Sequence, residues 1–411
     1  MKKGQFEARL LVLVTFALVA FGLVMVFSST SASATLANGD PAYYLKRQAV
    51  YATLGLLLMF GFSRLDYNVL RAAAPALMLT SIGLLVAVLL IGQSVNGARR
   101  WITFGPAVFQ PSELAKLALA VWAAGYLAKR RAPRTLKELW RPMGLVALLF
   151  CALLLVEPDL GTAITILVML AGVLLISGTP VRPLAGGLAI TAVVGLAAIW
   201  FEPYRRARLF SFINPWHDAQ GAGYQTVQAM IGLGSGGLFG VGLGQSVQKA
   251  NFLPEAHTDM IFAIIGEELG LVGAAVVIAA YATFAYVGLR IALRCRDPFG
   301  KRLAAGLTVV VCGQAAINLA AVMGLAPLTG IPLPFVSYGG SSLVVALVSV
   351  GILLNIAVGH AGERRVSIPD RSRRDGRPRA AVARRGGGAG RARRTGDVRR
   401  VAGSRRSSAR S

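Results

Sequence analysis

The stretch from Gly144 to Ile176, GLVALLFCALLLVEPDLGTAITILVMLAGVLLI, holds two apolar runs parted only by Glu157, Pro158 and Asp159. Each run approaches the roughly 20 residues that a helix needs to cross a bilayer core. Pro158, Asp159 and Gly161 supply turn chemistry between them. The stretch therefore reads as two short membrane helices joined by a tight turn. Similar runs lie on either side, at about 10–28, 48–63, 73–92, 112–127, 142–156, 162–177, 184–201, 259–289, 303–323 and 341–359. The expected fold is an all-α polytopic membrane protein of about ten transmembrane helices, with one large external loop, about 202–258, between the seventh and eighth.

Composition agrees on class and conflicts on charge. Over 411 residues, 55% are hydrophobic and 15% charged, with a mean hydropathy of +0.61. Soluble domains carry about a quarter charged residues, so a soluble enzyme is a poor fit. Yet the net charge is +25 and the pI about 11.1, a balance that by itself suggests a nucleic-acid partner. Position resolves the conflict. Residues 360–411 hold 17 Arg against Glu363, Asp370, Asp375 and Asp397, a net of +13 in low-complexity sequence. That segment cannot bury enough apolar surface to offset its ordering entropy and is expected to be a disordered tail. Two domains follow, a transmembrane part over 1–359 and the Arg-rich tail over 360–411.

Loop charge orients the helices. With a cytoplasmic N-terminus, the inner segments before the tail, including the clusters Lys129–Arg141 and Arg290–Arg302, sum to +13, and the outer side sums to −1. Basic loops stay inside, so both termini are expected in the cytoplasm and no nucleic-acid partner is needed. The first apolar run, about 18 residues, is longer than the roughly 7–15 of a secretory signal and is read as a retained helix. Cys151, Cys295 and Cys312 are scattered and odd in number, without disulfide or metal spacing.

Ionisable groups inside membrane spans mark functional candidates, and four places carry them. The first is Asn96-Gly97-Ala98-Arg99-Arg100-Trp101-Ile102 followed by Gln110-Pro111-Ser112-Glu113 and Lys116. Ser112 is a candidate N-cap, and Glu113 and Lys116 share one helix face. A structural ion pair and a substrate contact fit them equally. The second is Glu157-Pro158-Asp159, where turn chemistry is favoured over a polar cavity. The third is the loop 202–258, with Arg205, Arg206, Arg208, the Asn214-Pro215-Trp216 triplet and Lys249. Gly232, Gly234 and Gly237 match a dinucleotide fingerprint in form, but no strand precedes them. The fourth is the eighth helix, opening at Thr258-Asp259. Glu267 lies about 12 Å deeper than Asp259, and Glu267 and Glu268 are read as members of a structural network. On spacing alone, Asp259 is a helix N-cap.

The motifs LPEAHTDMIFAIIGEELG, Leu253–Gly270, and INLAAVMGLAPLTGIPLPFVSYGGSS, Ile317–Ser342, change that weighting. Together with NGARRWI, QPSELAK, EPDLGT and NPW in the same order, they resemble the SEDS family (shape, elongation, division and sporulation) over about residues 10–359. Ala256 and the stretch Gly242–Lys249 resemble its division branch more than its RodA-like elongation branch. Met260 stands where the family often has Phe.

The resemblance implies a peptidoglycan glycosyltransferase that polymerises lipid II outside the bacterial cytoplasmic membrane at the septum. It further implies a class B penicillin-binding protein transpeptidase and other division proteins as partners. The family's essential aspartate falls on Asp259, the implied catalytic base. The implied substrate contacts are Arg100, Glu113, Lys116, Arg205, Arg206, Arg208, Lys249, Glu255, His257, Ser337, Gly339 and Gly340. No cofactor is demanded; a divalent cation, Mg or Mn, stays open, although no cluster has a ligand spacing that requires one. A lipid II flippase and a non-catalytic division scaffold are the rival readings.

Overall fold

The computed structural model describes residues 3–95, 98–105, 107–201, 203–249 and 252–362. The Arg-rich tail, apart from its first three residues, lies outside them, as do Asn96 and Gly97. Most of each of the ten apolar runs lies in helix, although Asp259 and Met260 of the run 259–289 precede theirs. In chain order these helices are α1 (Lys3–Asn38), α2 (Tyr43–Arg64), α3 (Asn68–Ile91), α4 (Pro111–Ala128), a short α5 (Leu136–Leu139) leading through a π-turn into α6 (Leu145–Val156), α7 (Leu160–Ile176) and α8 (Val181–Trp200). The helices α9 (Pro203–Ile213) and α10 (Tyr224–Ser235) follow, then α11 (Ile261–Arg294), α12 (Pro298–Val322) and α13 (Gly340–Gly362).

Six helical segments among the described residues are long and apolar enough to cross a membrane: Gly4–Ser31, Asn68–Ile91, Leu136–Val156, Ile261–Arg294, Pro298–Val322 and Gly340–Gly359. Helices α7 and α8 are apolar but shorter. Helix α2 carries Lys46 and Arg47, and α4 carries Glu113 and Lys116, which lowers their hydropathy. Helix α4 is the axis of the bundle. Its alanines Ala115, Ala118, Ala120, Ala123 and Ala124 are buried, and α3, α7, α12 and α13 pack around it. Small side chains let neighbouring backbones approach. Helix α13 runs along α2 for the same reason, since a Cβ on Gly351 would come within 2.4 Å of the Met59 carbonyl oxygen. Leu57, Leu79 and Leu90 point outward and are exposed, as lipid-facing side chains of a spanning bundle would be.

Two features depart from the expected all-α layout. Between α3 and α4 the chain forms a small antiparallel sheet, β1 (Gln93–Val95), β2 (Ala98–Phe104) and β3 (Ala107–Phe109), in the order β1-β2-β3. The expected loop 202–258 is not open chain either, because α9, a 3-10 turn at Pro215–Asp218 and α10 occupy it. Gly232 and Gly234 lie inside α10, which removes any phosphate-loop reading.

Helix α11 is broken at Gly270, where φ is +67° and ψ −164°, a conformation that glycine tolerates and other residues do not. The break frees backbone groups, and the segment after α10 takes them up. Val241 and Gly242 donate to the carbonyls of Glu267 and Glu268 at 3.0 Å each, and Leu271 donates to Gly237 at 2.9 Å. Buried polar backbone is thereby satisfied.

The two glutamates beside the break pin the same segment. Glu267 accepts from the Ser246 hydroxyl and, at 3.0 Å, from the Val247 amide. Glu268 accepts from Ser28 of α1 at 2.6 Å and from Lys249 at 3.1 Å. The structural role expected for these acids is the one their contacts describe.

Candidate functional site

At one end of the bundle, the starts of α2, α4, α11 and α13, the sheet and the α6–α7 turn converge on a cavity of about 870 Å³. Its wall includes Arg100, Glu113, Arg208, Glu255, His257, Asp259, Gly339 and Gly340 from the expected set.

Asp259 is not a helix cap. Helix α11 starts two residues later, with Met260 at the cap position and no side-chain cap bond. The carboxylate faces the cavity instead, with the Thr258 hydroxyl 3.1 Å from Oδ1. Burial drives its pKa up to about 6 from an ordinary 3.8, with Glu255 adding to the rise and Thr258 and Arg208 opposing it. The backbone of this turn is held from α12, where Asn318 Nδ2 donates to the Asp259 carbonyl at 2.7 Å. Burial also lowers the pKa of nearby His257, with Glu255 opposing the fall.

Glu113 and Lys116 form a buried ion pair at 2.9 Å, and Lys116 also donates to Gln314 Oε1 at 2.5 Å. Gln314 passes the chain on, donating to the Pro332 carbonyl at 2.9 Å. Asp159 accepts from the Thr162 amide at 3.1 Å, capping α7, and from the Thr162, Ser112 and Gln110 side chains. Ser112 therefore serves Asp159 and does not cap α4, whose cap position is Gln110. Turn chemistry accounts for Asp159 as the α7 cap, but its side chain also lines the cavity, so both of the roles weighed from the sequence are present.

Arg100 projects from β2 into the cavity wall, and its guanidinium donates to the backbone carbonyls of Glu157, at 3.2 Å, and of Pro158. Arg208 reaches in from α9 and donates to the Leu328 carbonyl at 3.4 Å. Four expected contacts lie elsewhere. Lys116 is buried behind Glu113, where it lines a smaller crevice. Lys249 is committed to Glu268. Arg206 is exposed, with its guanidinium 6.0 Å from the Trp200 ring. Ser337 is buried, its hydroxyl accepting from the Leu333 amide at 2.8 Å. The Arg205 side chain is outside the described residues.

Sequence reasoning missed the aromatic wall. Tyr43, Tyr44, Arg47 and Tyr51 from the first turns of α2 line the cavity. Tyr44, His257 and Tyr338 meet with ring centroids 4.8, 5.2 and 5.5 Å apart. It also missed the amides that hold the irregular segment 324–339. Gln48 donates to the Ser337 carbonyl at 3.0 Å, and Asn318 to the Ile331 carbonyl at 2.9 Å. Polar residues inside apolar helices were the available signal for Gln48, Gln314 and Asn318. Among the described residues, no group of three or more His, Cys, Asp or Glu side chains comes together as a metal site.

The comparisons with known proteins agree with the motifs. A family described as cell cycle protein, spanning FtsW, RodA and SpoVE, matches residues 8–361. A probable peptidoglycan glycosyltransferase FtsW of Geobacter metallireducens is 41% identical over 350 residues, covering 84% of this chain and 93% of the relative. Its counterpart in Nitrosococcus halophilus is 42% identical over 346 residues, covering 83% and 89%. Among solved structures, a chain of a peptidoglycan synthase complex that coordinates polymerization and crosslinking superposes with a TM-score of 0.72 at 32% identity, over 85% of this chain and 96% of that one. The rod shape determining protein RodA of Thermus thermophilus superposes with a TM-score of 0.62 at 30% identity, over 85% and 95%. With a match that takes in α1 to α13 and the whole cavity, this chain belongs to the FtsW, RodA and SpoVE family of cell cycle proteins.

Proposed function

We propose that this chain is an FtsW-type peptidoglycan glycosyltransferase that polymerises lipid II, with Asp259 as its general base. The observation that carries the site assignment is the Asp259 carboxylate, set in the wall of an 870 Å³ cavity with its pKa pushed up to about 6. A sugar hydroxyl is a poor nucleophile, and a carboxylate whose pKa lies near the working pH removes its proton most effectively as the bond forms.

In the reaction, the 4-hydroxyl of an acceptor GlcNAc attacks the anomeric carbon of a lipid-linked MurNAc. Asp259 takes the hydroxyl proton, the new glycosidic bond forms, the bond to undecaprenyl pyrophosphate breaks, and configuration inverts. Negative charge develops on the leaving oxygens, and preorganised cations stabilise it. Arg100, Arg208 and Arg47 face the same cavity and are the groups for that task. The aromatic wall offers apolar ring faces for sugar rings.

Ten spans with both termini cytoplasmic fit the loop charges, and they put this cavity on the outer side, where lipid II is used. A transpeptidase partner fits the likeness to a chain of a synthase complex. Action at the septum fits relatives named FtsW at about 40% identity. The charges that would suit a transport path, Lys116 and Glu268, are already paired with Glu113 and Lys249, which favours a polymerase over a flippase.

The test is polymer formation from lipid II by the purified chain with its transpeptidase in detergent, where no gradient exists. Wild-type chain should form glycan strands, with activity rising through an acid limb near pH 6 as Asp259 ionises. Asp259→Asn should abolish polymerisation while partner binding persists. Retained synthesis by that variant would falsify the base assignment, and no polymer from the wild type would reject the enzyme reading.

A further inference from the structure

Asp259 lies outside regular structure, two residues before α11 begins, so the helix's own ladder does not fix it. What reaches it is a side chain from another helix. Asn318 of α12 is 2% exposed, and its Nδ2 donates both to the Asp259 carbonyl, at 2.7 Å, and to the Ile331 carbonyl, at 2.9 Å. One amide nitrogen, with both of its hydrogens committed, thus ties the turn carrying the base to the irregular segment that forms the facing part of the wall. One turn earlier on α12, Gln314 makes the parallel bond to Pro332. The two amides form a pair of rungs four residues apart, which places them on one helix face. Of the two rungs, Asn318 is the one that reaches the turn of Asp259, which the Tyr338 amide also holds two residues earlier, through the His257 carbonyl at 2.9 Å.

We propose that Asn318 is a positioning residue for the transferase reaction, holding the Asp259 turn in register with segment 324–339 so that the carboxylate meets the acceptor hydroxyl. The inference rests on the reading of Asp259 as the base. Its physical content is distance. A catalytic group must be held to about 0.5 Å, and a misplacement of about 1 Å costs on the order of 100-fold in rate. Asn318 acts through backbone and does not touch substrate. Its loss should therefore lower kcat and leave lipid II binding, which depends on the arginines and the aromatic wall, nearly intact. Asparagine is required because its amide has two N–H donors; aspartate has the same shape and none.

The experiment compares Asn318→Ser, Asn318→Asp and Asn318→Gln with the wild-type chain, each purified with the transpeptidase and assayed on lipid II across pH. For Asn318→Ser and Asn318→Asp, the expected result is a fall in kcat on the order of 100-fold, with KM within a few-fold of the wild type. The acid limb should move in opposite senses. Among the described residues, Glu255 from its own turn and Arg208 from α9 act on the Asp259 charge, and Arg47, Arg100, Glu113, Asp159 and His257 line the same cavity. Asn318→Asp adds a third carboxyl group and should raise the limb, whereas Asn318→Ser lets the turn open to water and should lower it. Asn318→Gln retains the donors and should recover part of kcat.

Wild-type kcat and an unmoved limb in the Ser and Asp variants overturn the proposal. So does a loss of folded, partner-bound protein in all three, or a fall in yield with normal kcat in what remains, since either marks a packing role. Asp259→Asn is run alongside. If that variant still makes polymer, the base reading itself fails. If it is inactive while the Asn318 variants behave as wild type, only the positioning role fails.

Discussion

Lys116 and Glu113 meet at 2.9 Å with side chains 3% and 4% exposed, one turn apart on the helix at the centre of the bundle. Removing one partner from such a pair leaves an uncompensated buried charge, which costs about 3–5 kcal/mol. Glu113→Gln should therefore lower the thermal stability of the detergent-solubilised chain markedly, and Lys116→Met in the same background should restore most of it. Activity should not return with stability, because Gln314 loses the ammonium at its Oε1 and with it the link from α4 to Pro332. Thermal unfolding and lipid II polymerisation measured on both variants check this. Full activity in the stable double variant would reduce the pair to a structural role.

The reach of the sequence is visible at particular residues. Apolar runs identify helices because length and hydropathy are local properties, so most of each run lies in helix, and the HTD motif singled out Asp259, which lines the cavity. The sheet at Gln93–Phe109 escaped, although Asn96-Gly97 is a strong hairpin signal, because two of its three strands have only three residues, too few for alternation to register. The first turns of α2 escaped because Tyr43, Tyr44 and Arg47 precede its apolar run. The tie between Asn318 and Asp259 spans 59 residues, and no spacing rule says which face of α12 meets the approach to α11. Asp259 itself read as a cap because its direction depends on a helix start two residues further on.

Lys249 shows how a plausible cation is used elsewhere. Its ammonium sits 3.1 Å from Glu268, with the two side chains 9% and 0% exposed, and Ser28 of α1 shares that carboxylate. Lys249→Met should loosen the segment that covers the break at Gly270 and lower thermal stability. KM for lipid II should stay within about twofold in the folded, partner-bound fraction, since the tie holds α11 and not the cavity wall. A rise of tenfold or more in KM at unchanged stability would restore Lys249 to the substrate site.

Glu157 gives the protein a pH-dependent weakness. Its side chain is fully buried in the α6–α7 turn, and among the described residues neither carboxyl oxygen has a hydrogen-bond partner. Burial lifts its pKa from 4.5 to about 8, with Asp159 adding to the rise and Arg100 opposing it. In the unfolded chain the group ionises near 4.5, whereas in the folded chain it holds its proton until about pH 8. Between these values the unfolded state binds fewer protons, so stability falls as pH rises through that window and levels off above it. Glu157→Gln keeps the shape and cannot ionise. Its melting temperature should match the wild type near pH 5 and exceed it by several degrees near pH 8, as followed by thermal unfolding in detergent. Parallel pH profiles for the two proteins would mean that the carboxyl is hydrated or paired in the membrane-embedded chain, and the weakness would then have to be sought in another acid.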